Sequence, residues 1–282
     1  MKYYIVIPAY NEEAFIALML QSIAEQTVLP EKVVVVNDNS TDATKHIVEQ
    51  FMANHAWLTI VNTLSDAVHL PGSKVIQAFL KGYETLDEDY DVIVKLDADL
   101  ILPGDYFETV LKTFETDKKV GMAGGFAYIE KDNEWLLENL TDKDHIRGAF
   151  KAYRKECFLQ IGKLKPAMGW DTVDELLAKY FGWKVVTIDK LKVKHLKPTG
   201  ASYNKAARYK QGEAFYSLGY GLVITVIASA KLAMRKKKPL LLLDYIKGFF
   251  KAKSSGKPLL VNDEQAKFIR KYRWEKMKKK LF

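Results

Sequence analysis

The chain of 282 residues has a single cysteine, Cys157. One thiol closes no internal disulfide and builds no cysteine-based zinc centre, so the fold rests on its own apolar core. Such sparing use of cysteine fits a reducing compartment. Long apolar runs are missing as well. An apolar stretch beginning at Gly221 meets Arg235 after about 14 residues, short of the roughly 20 that span a bilayer. The chain enters a strand-like run at once, with no signal-peptide pattern ahead of it. Internal repeats, low-complexity segments and recognised nucleic-acid motifs are also absent.

A hydrophobic content of 48% beside 28% charged residues is ordinary for a soluble globular chain. The length allows one large domain, or one domain with an appendage, around a sizeable core. The net charge of +8 is uneven. Lys231, the run Arg235-Lys236-Lys237-Lys238 and the closing Lys278-Lys279-Lys280 place the surplus toward the C-terminus. A basic surplus suits nucleic acid, anionic lipid or an anionic substrate.

Residues 2–7 read as a first strand, ended by Pro8 and Asn11. Residues 12–26 follow with Phe15, Leu18, Met19 and Ile23 at helical spacing. Residues 32–36, with four consecutive valines, predict a strand covered on both faces. Asn37-Asp38-Asn39-Ser40-Thr41-Asp42 is then a polar turn in which Ser40 or Thr41 caps the next helix. A third strand is expected over 57–62, a helix after Pro71-Gly72-Ser73, a strand from Val92, a helix over 104–114 and a strand over 120–128. This alternation predicts an α/β fold with a central, mainly parallel sheet flanked by helices, whose ligands sit beyond the carboxyl ends of the strands. Three polar clusters fall at such ends, at 8–13, 37–42 and 97–99.

Asp97-Ala98-Asp99 ends an apolar run. On an extended backbone, residues two apart face the same way with Cα atoms about 6.6 Å apart. Two carboxylates so presented suit a hard divalent cation, Mg2+ or Mn2+, which prefers oxygen ligands and keeps positions open for phosphate. The plainer reading is two solvated loop acids. Farther along, the charged residues 131–147 are expected to loop over the site or form a small insertion, and 149–161 a strand and a short helix. Gly169-Trp170-Asp171-Thr172-Val173-Asp174-Glu175 opens a helix ended by Gly182, and a strand over 184–188 leads on to His195. Asp171 and Asp174 are about one turn apart and share a helix face, where both also favour a helix N-terminus electrostatically. Beyond residue 200 the chain reads as mostly helical and basic. Residues 240–250 and 268–282 mix apolar and cationic side chains, as in helices resting on an anionic membrane or packed on the domain with solvated lysines.

Together these stretches resemble the family 2 glycosyltransferases, which have the nucleotide-sugar-binding GT-A fold. Ile5-Val6-Ile7-Pro8-Ala9-Tyr10-Asn11-Glu12-Glu13 is similar to that family's opening strand and loop, and Val34-Val35-Val36-Asn37-Asp38-Asn39-Ser40-Thr41-Asp42 to its second signature. Leu96-Asp97-Ala98-Asp99 matches its metal-binding Asp-x-Asp. The resemblance spans roughly residues 1–200, expected as the catalytic domain, with 201–282 as a helical, basic extension.

It implies a nucleotide-diphosphate sugar donor, of UDP type by the family's pattern, and transfer to an acceptor hydroxyl with inversion. Asp38 would bind the base, the backbone of Pro8, Ala9 and Tyr10 would flank it, and Glu12 would reach the ribose. Asp99, with Asp97 assisting and His195 as a further ligand, would hold Mn2+ or Mg2+ against the diphosphate. Lys74 would lie near donor phosphate, unless it is a solvated surface lysine. The family's general base is an aspartate ahead of a helix, often preceded by glutamate. Asp171 matches by its spacing to Gly182, Trp170 stands where glutamate is usual, and Asp174 is the alternative. The second signature usually carries two aspartates and a glycine; Asn37 and Asn39 depart from it, and Asn39 is expected in the left-handed conformation that asparagine tolerates.

These features imply cell-surface polysaccharide or glycolipid synthesis at the cytoplasmic face of the membrane, with a sugar or lipid-linked acceptor and peripheral contact with anionic lipid. Two other readings are weaker. A nucleotidyltransferase would carry a glycine-rich loop with a basic residue after the first strand, where this chain has Pro-Ala-Tyr-Asn-Glu-Glu. A nucleic-acid-binding module is opposed by acids at three strand ends, which repel a phosphate backbone.

Overall fold

The computed structural model describes residues 1–64, 72–138, 144–197 and 209–281, the side chains of 280 and 281 excepted. The first half runs β1 (Tyr3–Ala9), α1 (Ile16–Ala24), β2 (Lys32–Asp38), α2 (Thr44–Met52), β3 (Leu58–Thr63), α3 (Ser73–Tyr83), β4 (Val92–Leu96), β5 (Leu100–Ile101) and α4 (Tyr106–Thr116). Then come β6 (Val120–Lys131), β7 (Glu134–Leu137), β8 (Phe150–Arg154), α5 (Lys155–Gln160), α6 (Trp170–Tyr180) and β9 (Lys184–His195). Among the described residues, four helices close the chain: α7 (Lys210–Ser217), α8 (Gly221–Arg235), α9 (Leu241–Ser254) and α10 (Asp263–Leu281).

The nine strands among the described residues join one sheet in the order β3-β2-β1-β4-β8-β6-β9-β5, with β7 paired to β6. From β3 to β4 every pairing is parallel. The valines of β2 are fully covered, as a run with no polar face requires. Beyond β4 the directions mix: β8 runs antiparallel to β4 and β6, β6 and β9 are parallel, and β5 closes antiparallel on β9. Leu96 of β4 faces Phe150 of β8, and Leu100 of β5 faces His195 of β9. The segments after Leu96, before Phe150 and after His195 therefore meet at one edge.

Residues 131–138 form a hairpin rather than an open loop. Asp132 and Asn133, both at positive φ (53° and 63°), make the two-residue turn that matches strand twist. Residues 139–143 of the expected loop lie outside the described residues, as do Pro71 and the stretch 198–208.

One expectation fails locally. Neither Ser40 nor Thr41 caps α2: Ala43 stands at the cap position without a side-chain cap, and Asp42 ahead of it accepts the Thr44 amide at Oδ1 at 3.0 Å. Ser40 and Thr41 instead face Asn11, whose amide donates to Ser40 Oγ at 3.0 Å and whose Oδ1 accepts the Thr41 amide at 2.8 Å. The polar turns after β1 and β2 are thus tied to each other.

The closing helices pack on the sheet domain's apolar core. Phe215, Leu218, Ile224, Val261 and Ile269 join the same buried cluster as β1, β2 and α6, and α10 lies against both α6 and α8. Helices α7 and α9 cross at Gly212 and Gly248: a side chain at Gly212 would stand 1.8 Å from the Tyr245 carbonyl oxygen. Among the described residues no helix is long and apolar enough to cross a membrane.

Candidate active site

At the carboxyl ends of β1 and β2, Asp38 is buried and its Oδ1 accepts the Thr63 hydroxyl at 3.2 Å. Asn37 donates to Asn62 at 2.8 Å and accepts the Ser40 amide at 3.2 Å, an amide role a carboxylate could fill only in part. Asn39 has φ 59°, the left-handed conformation expected of it. Ala9 is buried, Pro8 half-buried, and Tyr10 is 58% exposed, leaving its ring at the surface beside this turn. Glu12 is held by Lys197, whose Nζ reaches its two oxygens at 2.8 and 2.9 Å. Burial raises the Glu12 pKa, Lys197 opposes that, and the fields of Asp99 and Asp97 add to it. Glu12 therefore shares an electrostatic neighbourhood with the Asp-x-Asp. Lys74 is in the first turn of α3, half-buried, just after Gly72, which packs against Ala167 and Trp170.

Asp97 and Asp99 follow β4 as expected, but on different footings. Asp97 is partly exposed and its Oδ1 is bonded by Lys95, a lysine buried inside β4. Asp99 is buried, with Oδ2 3.4 Å from His195 Nε2. The other ring nitrogen, Nδ1, is buried 3.6 Å from Glu138 Oε2, and Arg147 donates to the same oxygen at 2.6 Å. Burial disfavours the imidazolium, yet Asp99 and Glu138 outweigh it and raise the His195 pKa to about 9.

Two carboxylates and an imidazole whose far nitrogen faces a third carboxylate form a donor set that fits Mn2+ or Mg2+. Among the described residues no three such side chains already converge on one point. Lys95 and the His195 proton supply positive charge there, and a cation held by Asp97, Asp99 and His195 would need His195 deprotonated.

The helix α6 presents the two candidate bases differently. Asp171, at its first turn, keeps about a third of its side chain exposed. Burial favours its neutral form, but His145, 3.7 Å away, and Lys151 outweigh that and hold its carboxyl below the usual range. Asp174 is 2% exposed and sealed in. Lys151 Nζ lies 3.0 Å from both its oxygens, and the Tyr153 hydroxyl donates to it at 2.7 Å. Lys151 also stands 3.2 Å from Glu175, which accepts the Ile146 amide at 2.9 Å and pairs with His145 at 3.1 Å. Asp171 keeps an open side; Asp174 has none.

Lys95 and Lys151 are direct partners across β4 and β8 and both lie over the Trp170 ring, at 5.3 and 5.8 Å. The indole thus joins the Asp97 end of the site to the Asp171 end by cation–π contact. Sequence reading passed over Lys95, Glu138, His145, Lys151, Glu175 and Lys197. Lys95 left a signal, since it interrupts an otherwise apolar strand; the others sit in charged stretches where nothing marks them.

The profile described as Glycosyl transferase family 2 matches residues 4–163. Chondroitin synthase of Pasteurella multocida (strain Pm70) is 32% identical over 114 residues, covering 40% of this chain and 11% of that protein. The chain thus spans about a tenth of that relative's length. Among solved structures, the mannosyltransferase PcManGT from Pyrobaculum calidifontis, in complex with GDP-Man and Mn2+, superposes with TM-score 0.60 at 18% identity, over 91% of this chain and 76% of that one. TarS 1–349 of S. aureus in complex with UDP-GlcNAc gives 0.59 at 17%, over 80% and 66%.

Proposed function

The chain belongs to glycosyl transferase family 2 and is a glycosyltransferase of GT-A fold, and on that premise we propose that it moves a sugar, with inversion, from a UDP-type nucleotide sugar to an acceptor hydroxyl in cell-surface polysaccharide or glycolipid synthesis. The observation that carries this reading is that the parallel strands β2 and β4 end on the same side with Asp38 and with Asp97 and Asp99, the latter beside His195, while Trp170 links Lys95 at Asp97 to Lys151 at Asp171. Solved relatives that bind GDP-Man with Mn2+, or UDP-GlcNAc, support the donor class.

In this reading Asp38 and the backbone of Pro8, Ala9 and Tyr10 hold the base, and Glu12 exchanges Lys197 for the ribose. Asp97, Asp99 and His195 hold Mn2+ or Mg2+, which when bound stabilises the charge growing on the diphosphate. Lys74 extends from the first turn of α3 toward that phosphate. Asp171, ionised at neutral pH, removes the acceptor proton as its oxygen attacks the anomeric carbon and the bond to the diphosphate breaks. Asp174 anchors α6 through Lys151 and takes no part in proton transfer.

The acceptor is met at a cytoplasmic membrane surface. Leu222, Val223, Val226, Ile227 and Met234 stand exposed along one face of α8, next to the cationic run that begins at Arg235. An apolar face bordered by cations suits the interface of an anionic leaflet.

A thermal-shift series with UDP- and GDP-sugars, each with and without Mn2+, tests the core of this reading. The expected outcome is stabilisation by a UDP-sugar that requires Mn2+ and is lost in Asp99→Asn. Equal stabilisation without the metal, or by no nucleotide sugar, would overturn it.

A further inference from the structure

Asp171 and Glu175 are four residues apart on α6, so their carboxylates share a helix face, where like charges repel. One ring is set between them. His145 Nδ1 lies 3.1 Å from Glu175 Oε1, and its Nε2 lies 3.7 Å from Asp171 Oδ2, with 15% of the side chain exposed. The segment is pinned there, because the next amide, that of Ile146, donates to the same Glu175 oxygen at 2.9 Å.

The two carboxylates do not depend on the ring equally. Glu175 also has Lys151 at 3.2 Å and Lys179 at 3.6 Å. Lys151 bonds Asp171 only at the backbone carbonyl, at 2.5 Å, so among the described residues His145 is the one ion-pair partner of the Asp171 side chain. That contact engages Oδ2. Oδ1 has no hydrogen bond among the described residues, on a carboxylate that keeps about a third of its surface open. The ring itself lines a cavity of about 330 Å³ bounded by α6, α8 and α10. Across it stand Lys231 and Arg235 from α8 and Arg273 and Lys276 from α10, with Asp144 beside the ring. Burial opposes a charged imidazole, as Lys151 does, but Asp171 and Glu175 outweigh both and raise the His145 pKa to about 9.

We propose that His145 is the positioning residue of the base: held by Glu175, its imidazolium fixes Asp171 Oδ2, keeps the carboxylate ionised and leaves Oδ1 to the acceptor hydroxyl. A base oriented by a third group is a recurrent arrangement, and such contacts tighten from their unliganded distances when substrate binds. The acceptor proton goes to Oδ1 as the acceptor oxygen bonds the anomeric carbon and the diphosphate leaves with the bonding pair. His145 keeps its own proton throughout. The inference rests on Asp171 being the base.

The experiment follows UDP release by the full chain from pH 6 to pH 10, with Mg2+ and with water as acceptor. Its donor is the UDP-sugar that stabilises the chain most in the thermal-shift series. Rates are taken well below both melting temperatures. His145→Gln should lower kcat about 10–100-fold at pH 6, the worth of a hydrogen bond to a charged group, with donor KM within about twofold of wild type. The deficit should shrink to about threefold or less at pH 10, where the wild-type ring has lost its charge. Taking the ratio of the two proteins at each pH cancels the titration of groups common to both, the metal ligands included. A deficit equal at pH 6 and pH 10, or a donor KM that rises in step with the loss, overturns the proposal. If His145→Gln does not fold, or water turns over too slowly to follow, nitrogen NMR of the imidazoles decides. One histidine should titrate about one pH unit lower in Asp171→Asn than in wild type; no change in any histidine overturns the proposal. An Asp171→Asn protein with wild-type turnover removes the base assignment, and with it the premise. Inactive Asp171→Asn beside His145→Gln that matches wild type removes the role of His145 alone.

Discussion

Two groups of acids are each paired with a histidine and a lysine, and they differ in one respect, access. Around Asp97 and Asp99 the lysine and histidine lie beside carboxylates that border the sheet edge, and Asp97 keeps about a third of its side chain exposed. Around Asp174 and Glu175 nearly everything is sealed: Lys151 is fully buried, Asp174 and Glu175 almost so. The same chemistry thus yields exchangeable charge in one place and a structural anchor in the other. Charges at an edge can trade partners for a ligand; charges in the core that lose a partner have no solvent to replace it. Asp171 lies between the two, on the helix that the buried group anchors and facing the edge that the open group borders.

The widest separation between the two groups is expected in activity. Asp171→Asn should lower sugar transfer by about 10²–10⁴-fold, the range a lost general base costs, while UDP and Mn2+ still raise the melting temperature. Asp99→Asn should lower transfer by at least about 10²-fold through weaker stabilisation of the leaving diphosphate, and here the Mn2+-dependent shift disappears as well. Steady-state rates beside melting curves distinguish the two. Asp174→Asn giving the Asp171→Asn pattern, stable fold and intact donor binding included, would remove the distinction between open and sealed acids.

The opposite pattern is expected of Lys151→Met. It leaves Asp174 and Glu175 buried without their shared cation, a loss of about 3–5 kcal/mol in stability, measured as the midpoint of urea unfolding. Any loss of transfer should follow the unfolded fraction. A folded Lys151→Met protein with selectively lost turnover would make the buried lysine part of the chemistry.

What could be read in advance follows the same division. The parallel half of the sheet was legible because its strands are apolar and end in polar clusters, and Asn39 was legible because few residues tolerate φ near 59°. Those signals are local. The mixed half was harder: β5 is two residues long, and β8 derives its place from pairing with β4 and β6, contacts distant in sequence. The choice between Asp171 and Asp174 was open for a similar reason. Helical spacing puts both on one face, and only Lys151 and Tyr153, brought in by β8, decide which one is covered. Glu138 and the α8–α10 cavity are likewise products of packing. The expected cap at Ser40 or Thr41 is not made because Asn11, some thirty residues earlier, engages both.

A smaller effect comes from His145. Its pKa is raised to about 9: burial alone would lower it, but Asp171 and Glu175 more than offset that. The folded value lies above the ordinary one near 6.5, so the stabilisation is complete below about pH 6.5 and fades as pH rises through about 9. His145→Gln should therefore cost about 1.5–3 kcal/mol at pH 6, the worth of a hydrogen bond to a charged group, and far less at pH 10. A destabilisation that grows from pH 6 to pH 10 would reverse the sign of this pairing.

The smallest expected effect tests whether the open edge tolerates change where the core does not. Asn39 is exposed and left-handed, so the turn needs a backbone conformation from it more than a side chain. Glycine adopts that conformation without a Cβ penalty but loses more freedom on folding; the two effects oppose, and Asn39→Gly should shift stability by less than about 1 kcal/mol with donor binding retained. Asn39→Ala has neither the freedom nor the local hydrogen bonding of asparagine and should cost about 1–2 kcal/mol, with weaker UDP binding as the Asp38 turn loosens. If Asn39→Gly abolishes UDP binding while leaving the melting temperature in place, the asparagine amide itself contacts the nucleotide, and the departure from glycine in this turn is a matter of recognition rather than of backbone shape.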